Sequence, residues 1–260
     1  ISWPIMSVVL AGGGIVAGVL AGLLGSGGGI IIVPVLFETF GWLGSDPDAR
    51  MHLAVGTSLA TIIPTSIRSL GAHRRKGAVD EQLLKKWGIP MIAGVIAGTA
   101  IAAFVSGDSL TGIFAVVALV VSIYMAFAPE DLVISETLPG GVTGFLLPGI
   151  LGAISAMMGI GGGTLSVPTL TLFKYPIHRA VGTAPGFGLM IGILGTIGFI
   201  ASGLGDASLP PWPHTVGYVS IIGFFLIVPT TTLAAPWGLL LYTSDAADDP
   251  TRGSPRLLST

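Results

Sequence analysis

The sequence predicts an all-α integral membrane protein that crosses the bilayer several times. Charged residues make up only 9% of the chain and hydrophobic residues 52%, whereas a soluble domain carries roughly 25% charged residues. The ranges 1–37, 137–173 and 207–244 contain no charged residue, and about 20 apolar residues suffice to cross a bilayer. Glycine contributes 40 of the 260 residues, which is typical of closely packed membrane helices.

Proline, glycine and charged residues divide the apolar stretches into nine predicted helical segments. Two of them, 30–40 and 164–173, are short: about 11 residues rise only about 16 Å, roughly half of a 30 Å hydrocarbon core. We therefore predict two half-helices among longer membrane helices. The segments are 3–24, 30–40, 53–70, 84–105, 110–128, 138–158, 164–173, 180–202 and 215–241.

The chain repeats itself in the same order in its two halves. The stretch GSGGGIIIVPVL at 25–36 recurs as GIGGGTLSVPTL at 159–170, with seven of twelve positions identical. Further on, HLAVGT at 52–57 recurs as HRAVGT at 178–183. Two ordered matches indicate an internal duplication, so we expect one membrane repeat over 1–136 and a second over 137–241.

The basic residues predict the orientation of the repeats. Six of the eleven Lys and Arg residues lie in or beside one loop, which the positive-inside rule places in the cytoplasm. The acidic loop around Asp46 and Asp48 is then external, whereas its counterpart, with Lys174 and Arg179, is internal. Corresponding loops on opposite sides indicate inverted repeats. The six residues are Arg68, Arg74, Arg75, Lys76, Lys85 and Lys86.

Each half-helix is preceded by consecutive glycines, which we call the first elbow (27–29) and the second elbow (161–163). A short helix at matching positions of two repeats indicates a transporter's binding site, and the free N–H groups of a helix N-terminus bind anions. Tight helix crossing is the alternative for the glycines, and helix capping is the alternative for the hydroxyls that follow. The candidate substrate-binding residues are Ser26, Gly27, Gly28, Gly29, Thr57, Ser58, Gly161, Gly162, Gly163 and Thr183.

Other functions lack the residues that they require. The chain has no cysteine, its four histidines are scattered, and a net charge of -2 with one basic cluster does not suit nucleic acid; we expect no metal and no cofactor. The turn around Ser26 resembles a protease nucleophile, but its counterpart is Ile160 and a base is lacking nearby. Because the segments contain no central carboxylate, we expect an anionic substrate driven by the membrane potential, worth about 2.3 kcal/mol per 100 mV.

The glycine-proline motif at 25–34, AVGTS at 54–58 and HRRKGAVD at 73–80 together resemble the TauE/SafE family of sulfite exporters. The resemblance covers roughly 18–238 and includes the second copies of the motifs. It implies export of small sulfur oxyanions or organosulfonates across the bacterial cytoplasmic membrane, by a transporter rather than an enzyme. An anion channel and a membrane scaffold subunit without transport activity remain alternatives, and the oligomeric state is open.

The end of the chain departs from this family pattern. Similar proteins continue after a motif like Pro236-Trp237-Gly238 into one more membrane helix. Here the stretch 242–260 is polar, and part of it resembles translated vector sequence. We therefore expect that the last helix of the second repeat is missing and that 242–260 is a non-native tail.

Overall fold

A computed structural model describes residues 12–16, 29–127, 132–206, 208–209 and 215–247. These residues are almost entirely helical, including the short stretch 12–16 before the first labelled helix. A two-stranded antiparallel hairpin, β1 (Thr215–Val216) and β2 (Val219–Ser220), precedes the last helix. The helices are α1 (Gly29–Trp42), α2 (Pro47–Arg75), α3 (Glu81–Phe104), α4 (Gly107–Phe127), α5 (Gly141–Met158), α6 (Gly162–Thr171), α7 (Ile177–Gly203) and α8 (Ile221–Ala247).

Five helices, α2, α3, α4, α5 and α7, are long and apolar enough to cross a membrane. Large apolar side chains such as Val116, Leu119 and Val120 of α4 are exposed, as expected where lipid rather than water surrounds a helix. The prediction of an all-α polytopic membrane protein is thereby confirmed.

Several helix boundaries differ from those of the predicted segments because local hydrogen bonds determine where a helix begins or ends. The Asp46 side chain accepts a hydrogen bond from the backbone N–H of Asp48 at 2.9 Å, so α2 starts six residues before the predicted Leu53. The segment predicted to begin at Thr215 instead opens with the β-hairpin, whose turn contains Gly217 at φ 53°. The last helix also extends beyond the predicted end at Leu241 to Ala247.

The centre of the fold is the antiparallel pair of α2 and α7. Leu59 of α2 packs against Gly192 and Gly195, and Ile62, further along α2, packs against Gly188, which comes earlier in α7. A methyl group on Gly195 would lie 2.9 Å from a Leu59 methyl. Glycine on α7 therefore lets the two helix backbones approach closely, as small residues do between membrane helices.

Helices α3 and α5 pack side by side in the same direction. A methyl group on Gly94 would lie 1.8 Å from the Gly149 carbonyl oxygen, and one on Gly98 would lie 2.4 Å from the Ala153 carbonyl oxygen. The four-residue spacing of Gly94 and Gly98 thus forms a packing surface on α3. Glycines recur with the same spacing near the start of the chain, where Gly14 packs against Thr230, whereas Gly18 and Gly22 lie outside the described residues.

Helices α5 and α6 form a hairpin that turns inside the protein. Helix α5 ends at Met158, and its C-cap residue Gly159 has a left-handed φ of 67°, which strongly favours glycine. The Leu172 carbonyl oxygen after α6 accepts a hydrogen bond from the Ile134 N–H, 2.8 Å away, in the segment before α5. The chain therefore returns to the side from which α5 entered. With 10 residues, α6 rises about 15 Å, as predicted for a half-helix.

Candidate functional site

The N-terminus of α6 is buried and carries no side-chain cap. Helix α6 begins at Gly162, and its N-cap residue Gly161 has no side chain that could accept from the first turn. Gly161, Gly162, Gly163 and Thr164 are all buried. The first N–H groups of any helix lack partners inside the helix. At α2 and α3, aspartates accept from these groups, so the second elbow differs from these capped helix starts.

Gly162 of α6 packs closely on α7. A methyl group at this position would lie 2.6 Å from the Gly188 nitrogen, 2.6 Å from the Phe187 Cβ and 2.8 Å from the Ala184 carbonyl oxygen. Two of these three atoms belong to the backbone, which cannot rotate aside. The glycine is therefore required for this approach, and the same approach brings the α6 N-terminus against the centre of α7.

Thr164 adds a hydroxyl to this N-terminus. The side chain is 9% exposed, and its Oγ1 has no hydrogen-bond partner in the described part of the chain. Thr164 lies in the first turn of α6, at the end of the helix that carries the free N–H groups. Sequence analysis missed Thr164 because the matching position in the first copy is Ile30; this difference between the copies was the available signal.

The first elbow is described only at its last residue. Ser26, Gly27 and Gly28 lie outside the described residues, whereas Gly29 begins α1. A methyl group on Gly29 would lie 2.5 Å from the Gly159 carbonyl oxygen and 2.8 Å from the Ile160 Cα. The start of α1 therefore touches the turn between α5 and α6.

Ser58 also joins this contact between the two glycine motifs. Its Oγ donates a hydrogen bond to the Gly159 carbonyl oxygen at 2.7 Å, between buried groups. Of the predicted site residues, Gly29, Ser58 and the second elbow thus gather around the turn at 159–164. In this arrangement Ser58 serves as a link between α2 and that turn.

The hydroxyls of Thr57 and Thr183 accept hydrogen bonds from backbone N–H groups in two other loops. Thr57 Oγ1 accepts from the Ser220 N–H at 2.9 Å, and Thr183 Oγ1 accepts from the Asp80 N–H at 2.9 Å. Ser220 and Asp80 directly precede α8 and α3. We call these two places the Thr57 junction and the Thr183 junction.

The preceding glycines make both junctions tight. A methyl group on Gly56 would lie 2.2 Å from the Tyr218 carbonyl oxygen, and one on Gly182 would lie 2.4 Å from the Ala78 carbonyl oxygen. Each Gly-Thr pair thus docks its helix onto the loop before a helix of the other half. Because α2 and α7 are antiparallel, the junctions lie towards opposite ends of the pair, and the residues that follow the two threonines, Ser58 and Ala184, contact the turn at 159–162.

One partly buried carboxylate accompanies each junction. The Tyr175 hydroxyl donates to Asp80 at the Thr183 junction, and the Tyr218 hydroxyl donates to Asp206 at the Thr57 junction. These hydrogen bonds are the main reason why the pKa of each carboxyl lies below its ordinary value, although partial burial opposes the shift. Burial, followed by the same bonds, raises the pKa of both tyrosines. Each pair therefore holds a carboxylate and a neutral phenol at neutral pH.

Comparison with known proteins agrees with the helical membrane fold. The family model for the sulfite exporter TauE/SafE matches residues 10–244. The chain is 31% identical over 229 residues to a probable membrane transporter protein of Haemophilus influenzae, covering 86% of this chain and 84% of the relative. It is 30% identical over 229 residues to the probable membrane transporter protein MJ0441 of Methanocaldococcus jannaschii, covering 87% and 81%.

A third relative, the probable membrane transporter protein YunE of Bacillus subtilis, is 27% identical over 219 residues, covering 75% of this chain and 79% of the relative. No solved structure matches the chain. The family and the names of its relatives indicate a multi-pass membrane transporter rather than an enzyme. The chain belongs to the TauE/SafE sulfite exporter family.

Proposed function

We propose that this transporter exports a small anion, a sulfur oxyanion or an organosulfonate, and that it binds the anion at the second elbow. The observation that carries the proposal is the buried, uncapped N-terminus of α6 together with the Thr164 hydroxyl. A helix N-terminus offers several N–H donors and a positive dipole end to an anion. The description of the matched family as sulfite exporters supports the sulfur chemistry.

Neutral donors suit an anion that must be released again. Among the described residues no Asp, Glu, Lys or Arg is fully buried, so the elbow has neither a carboxylate to repel the substrate nor a buried cation to hold it. A direct charge pair in a low-dielectric interior is strong, whereas a transport site must release its ion. N–H and hydroxyl donors at Gly162, Gly163 and Thr164 supply attraction of intermediate strength.

The packing of α2 and α7 supports two inverted repeats over 1–136 and 137–241. The repeated HxAVGT motif lies on both helices, which run antiparallel, and each Gly-Thr pair docks on the other half. A two-fold axis in the membrane plane relates corresponding helices in this way. The proposed binding site then lies near that axis, where Gly29 touches Gly159.

We place the protein in a bacterial cytoplasmic membrane, with the loop between α2 and α3 inside the cell. Arg74, Arg75 and Lys76 at this loop are exposed, as expected for residues that retain a sequence on the cytoplasmic side. The Thr183 junction is then internal and the Thr57 junction external. An inside-negative potential drives a monoanion outwards by about 2.3 kcal/mol per 100 mV.

Efflux from proteoliposomes tests the proposal. The purified chain is reconstituted with sulfite, sulfate, thiosulfate, sulfoacetate or acetate inside, and a potential is imposed with valinomycin and potassium. We expect saturable efflux of at least one sulfur anion and competition by the others. Efflux that does not saturate supports an anion channel, and a complete lack of anion movement supports the scaffold alternative.

A further inference from the structure

Asp80 connects three segments of the chain at the Thr183 junction. Its Oδ1 accepts hydrogen bonds from the backbone N–H groups of Gln82 and Leu83, each at 2.9 Å, and so caps α3. Its Oδ2 accepts from the hydroxyl of Tyr175, which lies in the loop between α6 and α7. Its backbone N–H donates to Thr183 Oγ1 of α7 at 2.9 Å. One residue of the first half thus holds two segments of the second half.

Arg179 of α7 adds a charge interaction to this cluster. Its Nη1 lies 3.7 Å from Asp80 Oδ2, which is too far for a hydrogen bond. The arginine side chain is 59% exposed and that of Asp80 is 19% exposed, and water weakens an ion pair that it can reach. The Tyr175 hydroxyl donates directly to the carboxylate and is therefore the stronger of the two side-chain ties.

The loop that carries Tyr175 is joined closely to α6. The Tyr175 N–H donates to the Leu170 carbonyl oxygen of α6 at 3.2 Å. Lys174, directly before Tyr175, has a left-handed φ of 54°, and its side chain pairs with Glu136. The other end of α6 carries the second elbow. The hydrogen bond between Tyr175 and Asp80 therefore fixes the half-helix that carries the proposed site against the first half of the chain.

The carboxylate at the Thr57 junction makes a different set of contacts. Asp206 accepts from the Tyr218 hydroxyl, from the Ser208 hydroxyl at 2.7 Å and from the Ser208 N–H at 2.9 Å. These donors belong to the same segment between α7 and α8 as Asp206 itself. Among the described residues, one hydrogen bond crosses from this segment to α2, the one that the Ser220 N–H donates to Thr57. The carboxylate therefore ties the two halves together only at the Thr183 junction.

We propose that Asp80, Tyr175 and Arg179 form a latch that holds the Thr183 junction closed. Asp80 belongs to the first half of the chain and the other two residues to the second, so the halves can separate at this end only if the latch breaks. The Thr57 junction has no such side-chain tie within the described ranges, and its separation breaks a single hydrogen bond. The latch therefore keeps one end of the protein closed more firmly than the other.

The inference rests on the proposed function only for its role in transport. In the proposed orientation the Thr183 junction faces the cytoplasm, so the latch controls the end through which the anion enters. Breaking the latch should make the second elbow more accessible from that side. The opening itself can be measured without a substrate or a membrane potential.

Cysteine labelling in nanodiscs measures the opening of each end. The chain contains no cysteine, so Ala180→Cys places a single thiol on α7 beside Arg179, where the native residue is fully buried. Val219→Cys reports on the Thr57 junction in the same way, because the native residue is 7% exposed. Gln82→Cys, at an exposed position, gives the rate of an accessible thiol. The readout is the rate at which each buried thiol reacts with a polar maleimide, relative to Gln82→Cys.

Tyr175→Phe keeps the aromatic ring and removes the hydroxyl. We expect it to raise the relative rate of Ala180→Cys at least about tenfold, because one hydrogen bond to a charged group is lost, and to leave the rate of Val219→Cys unchanged. Arg179→Gln should raise the rate of Ala180→Cys less, by about threefold, because the ion pair is exposed. In an Asp80→Asn background, Arg179→Gln should have no further effect, since the charge that it faces is gone.

Tyr218→Phe is the matched control, because it removes the same kind of hydrogen bond from Asp206 and should leave the rate of Ala180→Cys unchanged. An unchanged rate of Ala180→Cys in the Tyr175→Phe background overturns the proposal. An equal rise at Val219→Cys also overturns it, since Tyr175 then stabilises the fold as a whole. Labelling needs no substrate, so absence of anion flux with this labelling pattern intact would count against the proposed function alone.

Discussion

Replacing Thr164 with valine should affect ligand binding and stability in opposite directions. Valine has nearly the same shape, so the change removes the hydroxyl without opening a cavity. Thr164 Oγ1 is buried without a partner in the described structure, and such a group costs about 1–3 kcal/mol. Without ligand the variant should therefore be as stable as the native chain or more stable. With a sulfur anion it loses one hydrogen bond to a charged group, worth about 1.5–3 kcal/mol, so the Kd should rise about 10- to 150-fold.

Thermal unfolding in detergent, with and without increasing concentrations of sulfite and sulfoacetate, measures both effects. Thr169→Val is the matched control on the same half-helix, because the Thr169 hydroxyl already donates to the Leu165 carbonyl oxygen at 2.7 Å. This control should leave the ligand-induced shift unchanged. The reasoning fails if Thr164→Val destabilises the ligand-free protein while the Kd stays the same, since the hydroxyl then has a structural role only.

Three further results are expected. Gly162→Ala should strongly reduce folding yield or flux, because its methyl group would lie 2.6 Å from a backbone nitrogen of α7. Gly112→Ala, whose methyl group would have no atom within 4 Å, is the control and should resemble the native chain. Size-exclusion profiles and efflux measurements check both variants. Thr57→Val should lower the free energy of unfolding by about 1–3 kcal/mol, because the buried Ser220 N–H loses the hydroxyl to which it donates. A denaturation midpoint equal to that of the native chain would contradict this. Tyr175→Phe should be less stable than the native chain at pH 7 because the lowered pKa of Asp80 depends first on this tyrosine; in denaturation curves the difference should shrink as the pH falls below about 4, where the unfolded carboxyl is protonated, and disappear at the lower pH where the native carboxyl is protonated too.

Local composition was sufficient to predict the helical membrane fold and the short helix α6. Apolar runs and glycine motifs are properties of adjacent residues, and α6, with 10 residues, has the predicted short length. The start of α2 depends on the side chain of Asp46, which is visible only as a single polar residue in the sequence. The hairpin before α8 was missed because Thr215–Ser220 is uncharged and was read as part of a helix.

The partners of the polar side chains could not be predicted in the same way. The hydrogen bonds of Thr57 and Thr183 join residues that are 163 and 103 positions apart, and no local pattern encodes such a pairing. The two readings of these hydroxyls, ligand binding and structural hydrogen bonding, were therefore left open. His52 was considered only as a metal ligand and was set aside because the histidines are scattered, whereas in the structure its Nε2 lies 2.9 Å from the carbonyl oxygen of Ala102 in α3, 50 positions away.

The central claim is that a sulfur anion binds at the N-terminus of α6, and locating such an anion tests it most directly. A crystal structure with bromomethanesulfonate would place the bromine by anomalous diffraction and so identify the sulfonate. We expect the sulfonate oxygens within hydrogen-bond distance of the Gly162 and Gly163 N–H groups and of Thr164 Oγ1. A fully occupied sulfonate elsewhere, for example at the Thr57 junction, with none at the second elbow would contradict the account.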